Sequence, residues 1–301
     1  MDTPVSPLVS VIVPTYHRVD VLRKTLSCLV RQAHTPFEVI VVDQSLQSGL
    51  SLTDFPQGRF TYLHLCHANL PDARNRGIRA AAGSLILFID DDVEFDSSLL
   101  AEHVRAHTGH PGVAAVAGRV KLFAPHAWPV QDVISKLDHR TGKFLPNFDS
   151  DKAGPTDFFV GCHVSFKRAT LDRIGRFDRH YIGNALYEEV DYALRMKKKG
   201  LHIHYHPQAI LTHFQAPSGG CREQTGGRYY FIKFYNTGFF FFKHRLSCWP
   251  YPFFKAMRNE IEFYTRRSNG HDWLAACLYL TGLLLGTLRG FWVGMRPTFY
   301  R

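Results

Sequence analysis

The sequence predicts an α/β fold, a doubly wound, mostly parallel sheet flanked by helices. Short apolar runs typical of buried strands alternate with longer segments in which apolar residues recur at helical spacing. Two of the runs, Phe37–Asp43 and Leu85–Ile89, are apolar almost throughout, as expected for strands buried on both faces of a parallel sheet. Strands that alternate with helices at short spacing are typical of this architecture.

The N-terminal part supplies four strands and three helices. Residues 9–14 form an apolar run that stops at a proline, and residues 19–31 follow with a helical apolar pattern. The remaining elements predicted here are a strand at Phe37–Asp43, a weaker strand at 60–65, a helix at 72–82, a strand at Leu85–Ile89 and a helix at 97–107. Ligands of such sheets bind at the carboxyl ends of the strands.

The pattern weakens between residues 123 and 155, where four prolines predict loops that would form a mobile acceptor region. Regular elements then return, and glycines follow both helices, as helix ends favour. These elements are a strand at 157–166, a helix at Arg168–Ile174, a helix at 188–199 and a strand at 201–205.

The last hundred residues differ in composition from the rest. Residues 229–242 are dense in aromatic side chains, and residues 273–295 are mostly apolar but are interrupted by Gly282, Gly286, Gly290 and Arg289. Three interpretations of the apolar segment stay open: a helix packed on the domain, an interfacial helix and a membrane-spanning helix. We therefore expect a domain at 1–220 and a helical, aromatic-rich extension at 221–301.

Charge and cysteine content indicate which classes of binding partner and which cellular compartment are favoured. Lys and Arg total 36 against 26 Asp and Glu, and the net charge of +10 favours anionic partners. Because the basic residues are scattered, a phosphate-bearing small molecule or a lipid is favoured over nucleic acid. The six cysteines form no CxxC pair, which disfavours a zinc site or disulfide scaffold and favours a cytoplasmic setting. The first residues do not have the pattern of a signal peptide.

Three adjacent carboxylates, Asp90, Asp91 and Asp92, follow the strand at Leu85–Ile89. Like charges repel one another and aspartate disfavours strands, so the triplet does not serve strand stability. A divalent cation would relieve the repulsion, because hard cations take oxygen ligands. A solvated turn remains the alternative when the triplet is considered by itself.

Six motifs in order along residues 8–215 resemble the family-2 glycosyltransferases of the GT-A fold. The motifs are VSVIVPTYHR near the N-terminus, VVDQS at 41–45, ARNRGIRAAAG at 73–83, LILFIDDDV at 85–93, GCHVSFKRATLDRIGRFD at 161–178 and YEEVDYALRMKKKG at 187–200. The resemblance implies an inverting transferase that moves a sugar from a nucleotide-sugar to an acceptor hydroxyl.

The resemblance also implies a donor site. Asp43 would accept a hydrogen bond from the base, which favours the imide of uracil or thymine and hence a UDP- or dTDP-sugar. Asp90 would reach the ribose or the sugar, and Asp91 would support its loop. Residues implied to contact the nucleotide or its phosphates are Pro14, Thr15, Tyr16, Arg74 and Asn75. Residues implied to lie at a Mn²⁺ or Mg²⁺ ion are Asp92, Asp90 and His213.

The prediction for the acceptor side of the site depends on the acidic residues that begin the helix at 188–199. Glu188, Glu189 and Asp191 stand where the family reads Glu-Asp-x-Asp, and the resemblance implies that Glu189 is the catalytic base. A carboxylate there would take the proton of the attacking hydroxyl. The alternative is that these acids only complement the helix dipole.

Two departures from the family concern the acceptor side: His163 stands where Asn is common, and Arg179 where Glu is common. The Gln-x-x-Arg-Trp signature of processive synthases is absent, which favours transfer of one sugar. Two other classes of function stay open. One is a nucleotidyltransferase, although Pro14 to Asp20 hold no glycine for a phosphate loop, and the other is a non-catalytic, membrane-docked binding module.

The C-terminal extension also predicts peripheral contact with an anionic membrane, at the inner face of the cell membrane. Its aromatic stretch at 229–242 and its apolar segment at 273–295 would lie on the leaflet. The arginines expected to contact anionic lipid are Arg266, Arg267, Arg289 and Arg296. In that setting the acceptor would be a saccharide or a lipid-linked saccharide, as in cell-surface glycan or glycolipid synthesis.

Overall fold

The computed structural model describes residues 6–47, 50–51, 53, 55–56, 58–123, 133–138, 143–220, 226–244, 258 and 273–295. Its strands are β1 (Val9–Thr15), β2 (Phe37–Asp43), β3 (Phe60–His64), β4 (Leu85–Ile89), β5 (Val93–Glu94), β6 (Ala115–Leu122), β7 (Lys136–Asp138), β8 (Lys143–Leu145), β9 (Gly154–Thr156), β10 (His163–Lys167) and β11 (Ile203–His213). Its helices are α1 (Val19–Val30), α2 (Leu70–Ala80), α3 (Leu99–Gly109), α4 (Arg168–Ile174), α5 (Glu188–Lys198), α6 (Gly226–His244) and α7 (Trp273–Met295).

Within these described residues, nine strands form one mixed sheet in the order β3-β2-β1-β4-β10-β6-β11-β5, with β9 paired to β11. The first four strands in this order are parallel, as predicted. Strands β1 and β4 are buried at every residue, as their apolar runs predict for the interior of a parallel sheet, and the buried hydroxyls of Ser10 and Thr15 donate to carboxylates. The register pairs Thr15 with Asp43 and brings both to the edge where β4 runs into Asp90.

Two strands differ from their predicted bounds. The strand expected at 157–166 is confined to β10, which runs antiparallel between β4 and β6. The strand expected to stop at residue 205 continues as β11 to His213, with a register shift between His206 and Ile210. Pro207 lies in this irregular stretch, where its missing N–H breaks no ladder hydrogen bond. The added length carries His213 to the same edge as Asp90.

In the described part of the C-terminal extension, α6 and α7 pack against each other. Four glycines of α7 at four-residue spacing lie so close to α6 that a Cβ on any of them would meet its backbone: Gly282, Gly286, Gly290 and Gly294. On the other side, Phe239, Phe240 and Phe241 of α6 belong to the buried core. Among the described residues, no helix combines the length and apolarity that a bilayer crossing needs.

Three neutral histidines lie buried between α3 and β10. The Nε2 atoms of His103 and His163 are 2.9 Å apart, and Ser165 Oγ lies 2.8 Å from His103 Nδ1 and 2.9 Å from His107 Nε2. Burial lowers the pKa of His103 well below its ordinary value, that of His107 to about 4 and that of His163 to about 3. Each histidine therefore stays neutral in the folded protein at a pH where the unfolded chain is protonated.

We expect the free energy of unfolding to fall as the pH drops below about 6.5, by about 1.4 kcal/mol per pH unit for each such histidine. The loss from each histidine ends only below its folded-state pKa. Chemical denaturation over this pH range measures the slope, and His163→Asn should make it shallower. The control is His67→Asn, because the His67 side chain is 56% exposed. Equal slopes for wild type and His163→Asn would contradict the prediction.

Candidate active site

A cleft of about 600 Å³ opens where β1 and β4 end, a volume suited to a nucleotide-sized ligand. The sheet edge lines it with predicted residues Pro14, Thr15, Tyr16, Asp90 and Asp91. The opposite wall includes Ile182, Gly183, Arg228, Phe231 and Ile232, the last three from α6. The C-terminal extension is therefore a wall of this cleft.

Asp90, Asp92 and His213 form the one group in the described residues whose ligand atoms converge as a metal site requires. One potential ligand atom from each lies within 4.8 Å of the others. His213 Nε2 is 2.9 Å from Asp92 Oδ1 and 3.9 Å from Asp90 Oδ2. Pairing of β11 with β5 puts His213 opposite Val93, beside the triplet. Two carboxylates and one imidazole fit Mn²⁺ or Mg²⁺, with positions remaining for phosphate oxygens or water.

The three carboxylates of the triplet have different environments. Asp91 accepts a 2.6 Å hydrogen bond from Thr15 Oγ1, and burial raises its pKa to about 7. Burial also raises the pKa of Asp90. Burial disfavours charge on Asp92 too, but His213 and Arg18 hold its pKa below the ordinary value. Asp91 thus ties the triplet to β1, while Asp90 and Asp92 lie beside His213.

Arg18 also lines the cleft, and the sequence predicted no role for it. Its Nη1 donates to Asp91 Oδ1 at 3.0 Å and to Asp92 Oδ2 at 3.2 Å. Burial disfavours the charged guanidinium, yet Asp91 and Asp92 raise the pKa of Arg18 above its ordinary value. The only signal in the sequence is a cation two residues after Tyr16, too common a feature to assign a role.

Arg74 and Glu188 form a buried ion pair behind the cleft. The Arg74 side chain is 2% exposed and that of Glu188 is 1% exposed. The Arg74 guanidinium also lies 5.5 Å from the centre of the Phe177 ring, within the range of a cation–π contact. These contacts hold Arg74 in the protein interior, where its positive charge acts on Asp90 and Glu189 as well as on Glu188.

Glu189 points to a different neighbourhood from Glu188, because successive helical residues are turned by about 100°. Its Oε1 accepts a hydrogen bond from Gly161 N at 3.3 Å. A Cβ at Gly161 would clash with both Arg74 and Glu189, so glycine is needed for this approach. Burial raises the pKa of Glu189, Arg74 opposes the rise and Asp90 adds to it. The result is a carboxylate more basic than usual, within the electrostatic influence of Asp90.

Three predicted site residues have other partners. Asn75 exchanges two hydrogen bonds with the backbone of Phe177, at 2.9 Å and 2.8 Å. Asp43 accepts from Ser45 N at 2.9 Å and from Tyr62 Oη at 2.8 Å, at the end of β2. Asp191 lies in a buried ion cluster with Arg195, Lys243 and His244. Of the three acids that begin α5, Glu188 and Asp191 lie in buried ion pairs, whereas Glu189 accepts a hydrogen bond from Gly161 N and acts electrostatically on the cleft residue Asp90.

Proteins of known sequence are similar to this chain over most of its length. Over 222 residues it is 26% identical to validoxylamine A glucosyltransferase of Streptomyces hygroscopicus subsp. limoneus. The aligned region covers 65% of this chain and 49% of that protein. Over 230 residues it is 28% identical to the O-antigen biosynthesis protein RfbC of Myxococcus xanthus. Here the aligned region covers 71% of this chain and 18% of that protein. The chain thus spans about half or less of the length of these relatives.

Two crystal structures share its fold. GalNAc-T7 with UDP, GalNAc and Mn²⁺ matches with a TM-score of 0.59 and 13% identity, over 83% of this chain and 52% of that one. S. aureus TarS 1-349 matches with a TM-score of 0.54 and 17% identity, over 76% of this chain and 64% of that one. The predicted GT-A fold is confirmed by these likenesses. Because the family model described as Glycosyl transferase family 2 matches residues 10–175, more than half of the chain, this protein belongs to glycosyl transferase family 2.

Proposed function

We propose that this protein is a metal-dependent, inverting glycosyltransferase that moves one sugar from a UDP- or dTDP-sugar to an acceptor hydroxyl. The observation that carries the proposal is the convergence of Asp90, Asp92 and His213 at the cleft, with the basic carboxylate of Glu189 nearby. Family membership and the fold shared with GalNAc-T7, a structure with UDP, GalNAc and Mn²⁺, support it.

In the proposed reaction, the protein orients the donor and removes one proton. Pro14, Thr15 and Tyr16 line the nucleotide side of the cleft. Asp43 would accept the imide N–H of the base, since each carboxylate oxygen has a lone pair beyond those used by Ser45 and Tyr62. Bound Mn²⁺ or Mg²⁺ would stabilise negative charge on the leaving diphosphate. Glu189 would take the acceptor proton as the hydroxyl attacks, with inversion at the anomeric carbon.

In this proposal, Arg74 and Asn75 support the donor site without contacting the donor. Arg74 balances the charge of Glu188 and opposes the rise that burial causes in the pKa of Asp90, and Asn75 fixes the backbone at Phe177. Asp91 supports the triplet through Thr15 and Arg18. Direct contact with the nucleotide is assigned to the cleft residues Pro14, Thr15 and Tyr16 and to Asp43.

The donor is tested by incubating the purified chain with a panel of UDP-, dTDP- and GDP-sugars and Mn²⁺. We expect a UDP- or dTDP-sugar to raise the melting temperature and to release the nucleoside diphosphate, and we expect chelation by EDTA to abolish both effects. Release of pyrophosphate from a nucleoside triphosphate would instead identify a nucleotidyltransferase. Binding of a donor without turnover in the presence of a range of saccharide acceptors would favour a binding module.

We further propose that α7 lies on an anionic membrane and that the acceptor is a lipid-linked saccharide. Buried aromatic side chains of α6 face the protein, so membrane contact falls to α7. Large apolar side chains are exposed along α7: Leu280, Leu284, Leu285, Leu288, Phe291 and Trp292. Arg289 lies 5.0 Å from the centre of the Trp292 ring at this surface, whereas Arg266, Arg267 and Arg296 lie outside the described residues. Because α7 packs on α6 and α6 lines the cleft, docking would hold the cleft close to the lipid surface.

The double variant Leu284→Ser/Leu288→Ser should bind vesicles containing phosphatidylglycerol about a hundredfold more weakly than wild type, since burying two leucines contributes about 3 kcal/mol. Flotation of the full chain with these vesicles measures the partition. The control is Leu46→Ser, at a leucine that is 70% exposed but far along the sequence from α7. Equal flotation of wild type and the double variant would contradict membrane docking through α7.

A further inference from the structure

All five N–H groups of the Arg18 guanidinium have an acceptor. Two contacts go to the acidic triplet, and three go to carbonyl oxygens of the loop at 214–220, which follows β11. Nε donates to Ser218 O at 2.8 Å, and Nη2 donates to Gly219 O at 2.9 Å and to Ala216 O at 3.3 Å. The Arg18 side chain is only 9% exposed. Arg18 therefore joins the β1–α1 turn, the triplet and this loop.

The loop is shaped to hold Arg18. Gly219 and Gly220 have φ values of 70° and 54°, in the left-handed region that favours glycine. A Cβ at Gly219 would lie 2.6 Å from Arg18 Cγ, and one at Gly220 would lie 2.7 Å from Arg18 Cζ. Gly220 N also donates to Tyr16 O at 2.8 Å. Two glycines thus serve both the turn and the close approach to one side chain.

These contacts fix the orientation of the Asp92 carboxylate. Its Oδ2 accepts from Arg18 Nη1 at 3.2 Å and from Ala216 N at 2.8 Å, and Ala216 is itself held by Arg18. Because the terminal torsion of aspartate is broad, a carboxylate without such partners samples many orientations. With two donors on Oδ2, Oδ1 is directed to His213 Nε2 at 2.9 Å.

We infer that Arg18 is a positioning residue that orients Asp92 for a divalent cation and pins the loop at 214–220 across the end of the cleft. The inference rests on the proposed metal-dependent function. It opposes the simplest electrostatic expectation, in which removing a cation next to a metal site strengthens metal binding. Orientation predicts the reverse, because partners that orient metal ligands contribute about 10–100-fold to metal affinity.

The test is the affinity of the full chain for Mn²⁺, measured by the electron paramagnetic resonance signal of free Mn²⁺. Arg18→Gln should weaken binding at least about tenfold, and Arg18→Lys should fall between, because lysine keeps the charge but lacks the planar fork. Gly219→Ala should also weaken binding while leaving Arg18 in place. Lys24→Gln, which removes an exposed cation from α1, should bind like wild type.

If the wild type binds Mn²⁺ and folded Arg18→Gln binds it equally or more tightly, the proposed role of Arg18 is wrong. The metal-dependent function would not be affected by that result. If Arg18→Gln does not fold, the Mn²⁺ affinity of Gly219→Ala is the test, and an affinity equal to or tighter than that of the wild type would contradict the inference. A wild type that binds no Mn²⁺, with or without UDP, would instead overturn the proposed metal-dependent function. Circular dichroism of each variant separates folding from affinity.

Discussion

Replacement of Asp92 by asparagine is expected to lower the rate of sugar transfer by about a thousandfold. The asparagine side chain keeps the size of the native one but loses the negative charge that Asp92 offers to a cation beside His213. A metal ion contributes several kcal/mol of charge stabilisation to a departing group, and about 4 kcal/mol corresponds to a thousandfold in rate. The rate of nucleoside diphosphate release at saturating Mn²⁺ and donor measures the effect.

The matched control is Asp96→Asn, four residues along the chain. Asp96 is exposed, so this variant removes the same charge from the same region without touching the candidate metal group. We expect Asp96→Asn to have the wild-type rate. If Asp92→Asn kept the full Mn²⁺-dependent rate while remaining folded, the assignment of Asp92 to the metal would be wrong.

Replacement of Glu189 by glutamine is expected to lower kcat by about 10²–10⁴-fold, the usual contribution of a general base. Affinity for the donor and for Mn²⁺ should be unchanged, because Glu189 is not among the proposed ligands of either. Burial raises the pKa of Glu189, and the base must be deprotonated to act. The wild-type kcat should therefore fall as the pH drops through this raised pKa, and the glutamine variant should lose that dependence.

Glu188→Gln, at the adjacent residue, serves as the comparison variant for Glu189→Gln. Glu188 is the buried partner of Arg74, so its loss leaves an uncompensated charge that costs about 3–5 kcal/mol of stability. We expect Glu188→Gln to lower the melting temperature and Glu189→Gln to leave it nearly unchanged. A Glu189→Gln enzyme with wild-type kcat and an unchanged pH profile would refute its role as base.

The sequence predicted the parallel half of the sheet well, because its signals are local. The apolar runs of β1, β2 and β4 leave no other stable position for their side chains, and an aspartate that follows such a run must lie at the strand end. The acidic triplet could therefore be placed at the edge of the sheet from the order of residues alone. The resemblance of ordered motifs predicted the family and the GT-A fold, and both are confirmed.

Contacts between distant segments were not predictable in the same way. Arg18 reaches carbonyl groups about 200 residues later, and nothing in the sequence of the loop at 214–220 indicates that its carbonyl groups bind Arg18. Likewise, the three acids that begin α5 look like one cluster in the sequence. Helical rotation directs Glu188 to Arg74, Glu189 to Gly161 and Asp191 to Arg195, so their charges serve different purposes.

Above all, we propose that Asp90, Asp92 and His213 hold the divalent cation of a nucleotide-sugar transferase. Anomalous diffraction at the manganese edge, from crystals grown with Mn²⁺ and UDP, tests it most directly. We predict one strong peak about 2 Å from oxygens of Asp90 and Asp92 and from His213 Nε2, adjacent to the diphosphate of UDP. A crystal with UDP in the cleft and no manganese peak at these three residues would contradict the claim.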